Sequence, residues 1–136
     1  ALGDVDTAVT TMRFNNGVIA TIDNSRRAVY GYDQRVELFG TAGAIHTGNT
    51  YPNSAIISDG RSIWRDLPHR FFAERYTESF LAEMTAFVQA ILHDEQVAVT
   101  GQDGRVPVVM ALAAQRSLIE KRAVHLSEIE HAREAL

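Results

Sequence analysis

The clearest structural signal in the sequence is the run VDTAVTTMRFNNGVIATID, Val5 to Asp23. Its first ten residues alternate between two sets of side chains and are rich in β-branched residues, which is typical of a β-strand. Asn16-Gly17 follows, and an Asn-Gly pair between two such runs is a strong signal for a tight hairpin. The stretch therefore predicts an antiparallel pair with strands at residues 5–14 and 18–23.

Further strands follow on the C-terminal side. Residues 35–39 and 44–47 flank a turn at Thr41-Ala42-Gly43, and residues 55–58 and 62–65 flank Asp59-Gly60, a second hairpin signal. Neither face of the first hairpin is strongly charged. A sheet with apolar residues on both faces needs a cover on each of them.

A long helix is predicted to begin near His69 or Arg70, just after Pro68. Its apolar residues recur every three or four positions, so they form one stripe that is most often core. The stripe consists of Phe72, Tyr76, Phe80, Met84, Phe87, Val88 and Ile91.

A second helix is predicted over residues 103–122, because Thr100-x-x-Asp103 is a capping signal. Pro107 is expected in its first turn, and Lys121 and Arg122 in its last turn, where the helix dipole favours cations. After it we expect an edge strand at residues 124–126 and a short helix capped by Ser127. The chain as a whole, 1–136, is predicted to be a single α+β domain: a mainly antiparallel open sheet with helices packed on one face.

Composition excludes several classes of protein. The chain has 136 residues, 46% hydrophobic and 22% charged, which is typical of a globular core and not of a disordered chain. A net charge of −4 argues against nucleic acid or an anionic membrane as partner. Cysteine is absent, and no apolar run is long enough for a membrane helix. With no leader sequence either, we expect a cytoplasmic location.

The familiar catalytic and cofactor motifs are missing from the sequence. There is no Gly-x-Gly-x-x-Gly fingerprint, no Gly-x-x-x-x-Gly-Lys phosphate loop and no Gly-x-Ser-x-Gly elbow. The five histidines do not form a His-x-x-x-His pair, so we predict no metal site. These absences exclude a nucleotide-binding domain and a serine hydrolase within this chain.

The segment Tyr30-Gly31-Tyr32-Asp33 is the best candidate for a ligand site. It has two tyrosines separated by a glycine and followed by an aspartate. Hydroxyl and carboxylate groups can hydrogen-bond a polar ligand, so the segment suits the wall of a polar pocket. The alternative is a β-bulge with Gly31 at the kink and both tyrosines packed on a helix. The arginines around the segment could imitate a nucleic-acid platform, but ion pairs with Asp23, Asp33 or Glu37 on neighbouring strands are the simpler interpretation.

Several segments, in the same order, resemble the C-terminal region of the glucose–fructose oxidoreductase and inositol dehydrogenase family. They are residues 4–23, the run Tyr30-Gly-Tyr-Asp-Gln-Arg-Val-Glu-Leu-Phe-Gly-Thr-Ala-Gly, the helix beginning Arg75-Tyr76-x-Glu78-Ser79, and Thr100-Gly-x-Asp-Gly104. Within the family the chain is most similar to the inositol dehydrogenases, through Asp23-Asn-Ser-Arg and Tyr30–Arg35.

The resemblance implies a parent protein with an N-terminal Rossmann domain, which is absent from this chain, and an NAD or NADP cofactor bound there. The parent would oxidise a ring hydroxyl of myo-inositol or a related polyol to a ketone. The family's catalytic lysine and Asp-x-x-x-His pair are not found here, since Lys121 is the only lysine. We therefore expect no catalytic, cofactor-binding or metal residue in this chain, and no activity from the chain alone.

What the resemblance leaves to this chain is one side of the substrate pocket. Tyr32 matches the family position whose phenol approaches the polyol, with Tyr30 and Asp33 beside it and Tyr76 as a second candidate. The resemblance also implies a homo-oligomer that packs through the open sheet face. Two alternatives stay open: a stand-alone, sheet-mediated binding or assembly module, and another sugar dehydrogenase of the same family.

Overall fold

The computed structural model describes residues 5–129 and places two helices and six strands among them. The chain divides into two compact units, Ala1–Ala82 and Glu83–Leu136. The strands all lie in the first unit, and the second helix lies in the second unit. The expectation of a single domain over 1–136 stays a prediction.

The first hairpin forms where the sequence predicts it. Strand β1 spans Thr7–Arg13 and pairs antiparallel with β2, Ile19–Ser25, in the register Arg13↔Ile19. Its turn is closed by the Phe14 amide, which donates to the Val18 carbonyl at 2.8 Å. Gly17 adopts φ +89°, a conformation that glycine reaches at little cost. The Asn-Gly signal therefore identifies the turn correctly.

Two more hairpins follow in the same unit. Strands β3, Val36–Gly40, and β4, Gly43–Thr47, pair across a two-residue turn. Strands β5, Ile56–Ser58, and β6, Ile63–Arg65, pair across a longer turn, in which the Asp59 carboxylate accepts from the amides of Arg61 and Ser62. This local side-chain bonding is what Asp contributes to turns.

The α+β class and the antiparallel pairing are confirmed, but the strands form three separate two-stranded ladders within residues 5–129 rather than one continuous sheet. Residues 26–35, between β2 and β3, are irregular. The Arg26 amide donates to the Asp6 carbonyl at the end of the first ladder, but the amides of Tyr32 and Gln34 bond to the His69 carbonyl and the Asn49 side chain, which belong to no strand. The β-bulge interpretation of Gly31 is therefore wrong, because no strand runs through it.

Helix α1 spans Phe72–Leu92 and is interrupted at Tyr76, whose φ and ψ are −110° and 16°. The helix is therefore a short first turn followed by a longer body. The first turn is closed by the Glu74 carboxylate, which accepts from the amides of Arg70 and Phe71 at 3.0 and 3.3 Å. A carboxylate in this position also complements the helix dipole.

Helix α2 spans Gly101–Glu120, and its capping box is confirmed. The Asp103 carboxylate accepts from the Thr100 amide at 2.8 Å, and the Thr100 hydroxyl accepts from the Asp103 amide at 3.4 Å. Two details of the prediction are wrong. Because the helix begins at Gly101, Pro107 lies inside the helix and not in its first turn. The last turn of the helix contains no basic residue, whereas Lys121 and Arg122 are predicted there.

The end of α2 explains the second error. Lys121 takes φ +53° and terminates the helix, so it and Arg122 lie beyond the last turn. Arg122 instead bonds to Glu120 at 2.6 Å and to Glu128 at 2.7 Å. The predicted edge strand at 124–126 is also wrong: residues 124 and 125 are irregular and a helical turn begins at 126. Glu128 accepts from the His125 amide at 2.9 Å, which starts that turn in place of a strand.

Few apolar side chains are buried among the described residues. The buried ones in the second unit are Ala90, Val109 and Ala113, whereas strand residues of the first unit such as Phe39 and Ile63 are 87% and 76% exposed. No helix in the described part has the length and apolar character needed to cross a membrane.

Candidate functional site

The site is organised around Tyr30–Arg35, hereafter the tyrosine segment, which lies between β2 and β3. Gly31 adopts φ +133°, and a Cβ added there would meet the carbonyl oxygens of Pro68 and His69 at 2.8 and 3.0 Å. The next residue, Tyr32, donates its amide hydrogen to the His69 carbonyl at 2.7 Å. Gly31 is thus required both by its backbone conformation and by the close approach of the 68–69 backbone.

Asp33 holds the segment in shape by accepting four hydrogen bonds. Arg35 donates to it from Nε at 2.8 Å and from Nη2 at 2.9 Å, Asn49 donates from Nδ2 at 2.8 Å, and the Tyr30 hydroxyl donates as well. These bonds lower the pKa of the Asp33 carboxyl to about 2. The bidentate pairing with Arg35 has the largest effect, followed by the hydrogen bonds from Tyr30 and Asn49. The hydrogen bond from the Tyr30 hydroxyl to Asp33 in turn raises the pKa of the Tyr30 phenol. Both carboxylate oxygens are therefore used within the chain.

Arg75, half-buried in the first turn of α1, connects this helix to two segments that are far from it in sequence, Gln34 and residues 48–49. Its guanidinium donates from Nη2 to the Gln34 carbonyl at 2.9 Å and to the Gly48 carbonyl at 3.2 Å, and from Nη1 to Asn49 Oδ1 at 3.0 Å. Asn49 Oδ1 also accepts from the Gln34 amide at 2.9 Å. The planar, multidentate guanidinium makes this geometry possible, which a lysine ammonium could not reproduce.

The functional groups that remain are two phenols and a carboxamide. The Tyr76 hydroxyl donates to Gln34 Oε1, and the Tyr32 hydroxyl lies 3.5 Å from the same oxygen, a long contact. The rings of Tyr32 and Tyr76 meet edge to face, with centroids 6.0 Å apart and planes at 88°. This arrangement fixes the rings, so that both hydroxyls lie near the Gln34 carboxamide.

The structure therefore brings the four sequence-predicted residues into two groups. Tyr32 and Tyr76 contact each other and present neutral hydroxyls, while Tyr30 and Asp33 bond to each other. Neutral groups that both donate and accept hydrogen bonds suit a ligand with several hydroxyls. The role of all four residues in ligand binding stays a prediction.

Three residues that complete the site were not predicted: Gln34, Asn49 and Arg75. The hydrogen bonds that connect them to other segments join positions 15 to 42 residues apart in sequence, beyond the reach of any local pattern. For two of them the sequence offers a weak signal: Gln34 follows Asp33 within the tyrosine segment, and Arg75 precedes Tyr76 at the start of the apolar stripe.

Two other interpretations of the region can be assessed. Arg35 pairs with Asp33, one of the expected partners, at 2.8 Å. Arg27 lies 3.7 Å from Asp6, which is not one of them. These two arginines are engaged in ion pairs, as the simpler interpretation predicts, although one of the partners differs. Within residues 5–129, no three side chains of the His, Cys, Asp and Glu types lie together in a way that could hold a metal ion.

Comparison with known proteins extends this description. The sequence model of an oxidoreductase family's C-terminal alpha/beta domain matches residues 1–126. The chain is 44% identical to the myo-inositol 2-dehydrogenase of Thermotoga maritima over 127 residues, which is 93% of this chain and 38% of that protein.

Solved structures agree. A probable dehydrogenase from Thermotoga maritima superposes with a TM-score of 0.89 at 44% identity, covering 93% of this chain and 38% of that one. A scyllo-inositol dehydrogenase from Lactobacillus casei, solved with bound NAD(H) and scyllo-inositol, gives a TM-score of 0.83 at 28% identity, covering 92% of this chain and 37% of that one.

The chain thus spans 38% of the length of the Thermotoga relative. Its hairpins, helices and tyrosine segment fall within the region that the family model matches. The chain belongs to the glucose–fructose oxidoreductase and inositol dehydrogenase family, and it corresponds to that family's C-terminal alpha/beta domain.

Proposed function

We propose that this chain forms the substrate-side wall of an inositol 2-dehydrogenase-like oxidoreductase, which oxidises a ring hydroxyl of myo-inositol or a related polyol to a ketone. The names of the relatives support this assignment: one is a myo-inositol 2-dehydrogenase, and another structure contains scyllo-inositol.

One observation carries the proposal: the grouping of Tyr32, Tyr76 and Gln34 on a rigid support. A polyol offers hydroxyls that both donate and accept, and two phenols with a carboxamide match them without introducing charge. Precise recognition also needs side chains held by their surroundings. Arg75 and Asp33 supply that rigidity through the bonds described above.

The cofactor of the proposed enzyme is NAD or NADP. The sequence of this chain contains neither the dinucleotide fingerprint Gly-x-Gly-x-x-Gly nor the phosphate loop Gly-x-x-x-x-Gly-Lys. We therefore place the cofactor in an N-terminal Rossmann domain of the parent, with the catalytic residues. On this proposal the 136-residue chain alone is inactive, and a cytoplasmic location stays a prediction.

A homo-oligomer is the further partner of the proposed enzyme. Apolar strand residues such as Val9, Leu38 and Ile45 are each more than 60% exposed, which supports the proposal of a subunit contact through the strands. Analytical ultracentrifugation of the full-length protein tests it; a monomer at tens of micromolar would contradict it.

The substrate assignment is tested by Tyr32→Phe in the full-length product of the gene. Loss of one phenol hydrogen bond is worth about 0.5–1.5 kcal/mol, so the KM for myo-inositol should rise roughly two- to tenfold while the KM for NAD stays the same. Tyr51→Phe is the matched control. Tyr51 lies in the loop between β4 and β5, and its ring stacks with Arg65 of β6, a contact that phenylalanine keeps. Equal KM values in Tyr32→Phe and the control would remove Tyr32 from the site.

A further inference from the structure

Gln34 occupies an unusual position among the site residues, because both its backbone and its side chain are oriented by other segments. Its amide donates to Asn49 Oδ1 at 2.9 Å and its carbonyl accepts from Arg75 Nη2 at 2.9 Å. A residue held at both backbone groups has little freedom to move its Cα. Its exposed carboxamide is therefore presented from a fixed point.

The two polar atoms of the Gln34 carboxamide have different surroundings. Oε1 accepts from the Tyr76 hydroxyl, with the Tyr32 hydroxyl 3.5 Å away. Nε2 makes no hydrogen bond to any residue in the described range 5–129, and Gln34 is exposed, so the two Nε2 hydrogens are available to a ligand. Because the Tyr76 proton is directed to Gln34, the Tyr76 oxygen presents lone pairs to a ligand. The pair is thus a donor next to an acceptor.

We propose that Gln34 is a specificity-determining residue of this site, donating from Nε2 to one hydroxyl of a polyol whose neighbouring hydroxyl donates to Tyr76. This inference rests on the proposed function. A site built to bond a hydroxyl discriminates against an analogue that lacks it, because the protein group is then left unpaired. The site should therefore select for two adjacent hydroxyls and against the corresponding deoxy compounds.

The experiment uses the full-length protein with NAD and two variants. Gln34→Glu keeps an oxygen for the Tyr76 hydroxyl and removes the donor, whereas Gln34→Leu removes both. We expect the KM for myo-inositol to rise roughly two- to tenfold in Gln34→Glu and further in Gln34→Leu, with the KM for NAD unchanged. Gln89→Leu, on the exposed part of α1, is the control and should behave like the unaltered protein.

A second measurement separates specificity from a loss of structure. The second measurement uses a series of monodeoxy-inositols. The analogue that lacks the hydroxyl bound by Gln34 should be oxidised with the same KM by the unaltered protein and by Gln34→Glu, since the hydrogen bond from Nε2 is already absent. Equal losses for every analogue, or unchanged KM values in both variants, would overturn the inference about Gln34 alone. Failure of the unaltered protein to oxidise any inositol would overturn the proposed function and this inference together.

Discussion

Replacing Gly31 by alanine tests how the tyrosine segment is held. The new Cβ would lie 2.8 Å from the Pro68 carbonyl oxygen and 3.0 Å from that of His69, both backbone atoms that cannot rotate away. The alanine would also keep φ at +133°, which L-residues rarely adopt. We therefore expect the segment to separate from the 68–69 backbone.

The magnitude follows from three contributions. A non-glycine residue in a sparsely populated backbone region costs about 1–3 kcal/mol. Weakening the bond from the Tyr32 amide to His69, 2.7 Å long, adds about 0.5–1.5 kcal/mol. Alanine recovers about 0.4–1 kcal/mol by restricting the unfolded chain. The free energy of unfolding should therefore fall by about 0.5–4 kcal/mol.

Two other glycines provide controls that separate these contributions. Gly17 also has a positive φ, +89°, but has open space where a Cβ would go, so Gly17→Ala reports conformational strain without a close approach. Gly60 has open space and no positive φ, so Gly60→Ala should be neutral or slightly stabilising.

The assay is urea unfolding of the full-length protein followed by circular dichroism, together with the KM for the polyol. Gly31→Ala should be the most destabilised of the three variants and the only one with a raised KM. If it unfolds at the same urea concentration as Gly17→Ala and keeps its KM, the contact with residues 68–69 does not hold the segment, and the argument from Gly31 is refuted.

Three further perturbations have defined outcomes. Arg75→Lys should lower the free energy of unfolding by about 1–3 kcal/mol in urea titrations and raise the polyol KM, because one ammonium cannot replace the bonds to Gln34, Gly48 and Asn49; exposed Arg61→Lys is the control, and equal effects would contradict the bracing role. Thr100→Ala should cost about 0.5–2 kcal/mol by the same assay, whereas Thr100→Ser should not, and a neutral alanine variant would show that the capping box contributes nothing. Asp33 has a lowered pKa in the folded protein, so its stabilising contribution should be complete above pH 3.8 and be lost as the pH falls toward about 2. Asp33→Asn should remove that part of the pH dependence of the urea midpoint, and parallel curves for variant and unaltered protein would refute it.

The sequence predicts those parts of the fold that depend on local patterns. Asn16-Gly17 identifies the first hairpin, the period of the apolar stripe identifies α1, and Thr100 with Asp103 identifies the start of α2. Each of these signals acts over a few residues, so its outcome is decided before the chain makes distant contacts.

The errors arise where a distant or unusual contact decides the outcome. Helix α2 ends because Lys121 adopts a left-handed conformation. Glycine is the usual residue in this conformation at a helix end, so a lysine there gives no signal in the sequence. Glu128 then bonds to Arg122 and to the His125 amide, and a helical turn begins at residue 126 where an edge strand is predicted. In the candidate site, the sequence names Tyr32 and Tyr76 as candidates, and their role stays a prediction. Their link through Gln34 and Arg75 depends on contacts between α1 and the tyrosine segment, which no local pattern indicates.

The mutual bonding of Tyr30, Asp33 and Arg35 has a consequence for the proposed enzyme's kinetics. The pKa of the carboxyl is lowered to about 2, while the pKa values of the phenol and of the guanidinium are raised. Across the neutral range these three groups therefore keep a single protonation state, one negative charge balanced by one positive charge. They form an electrostatically constant background, so an inflection in the pH–rate profile near neutrality must be assigned to other groups.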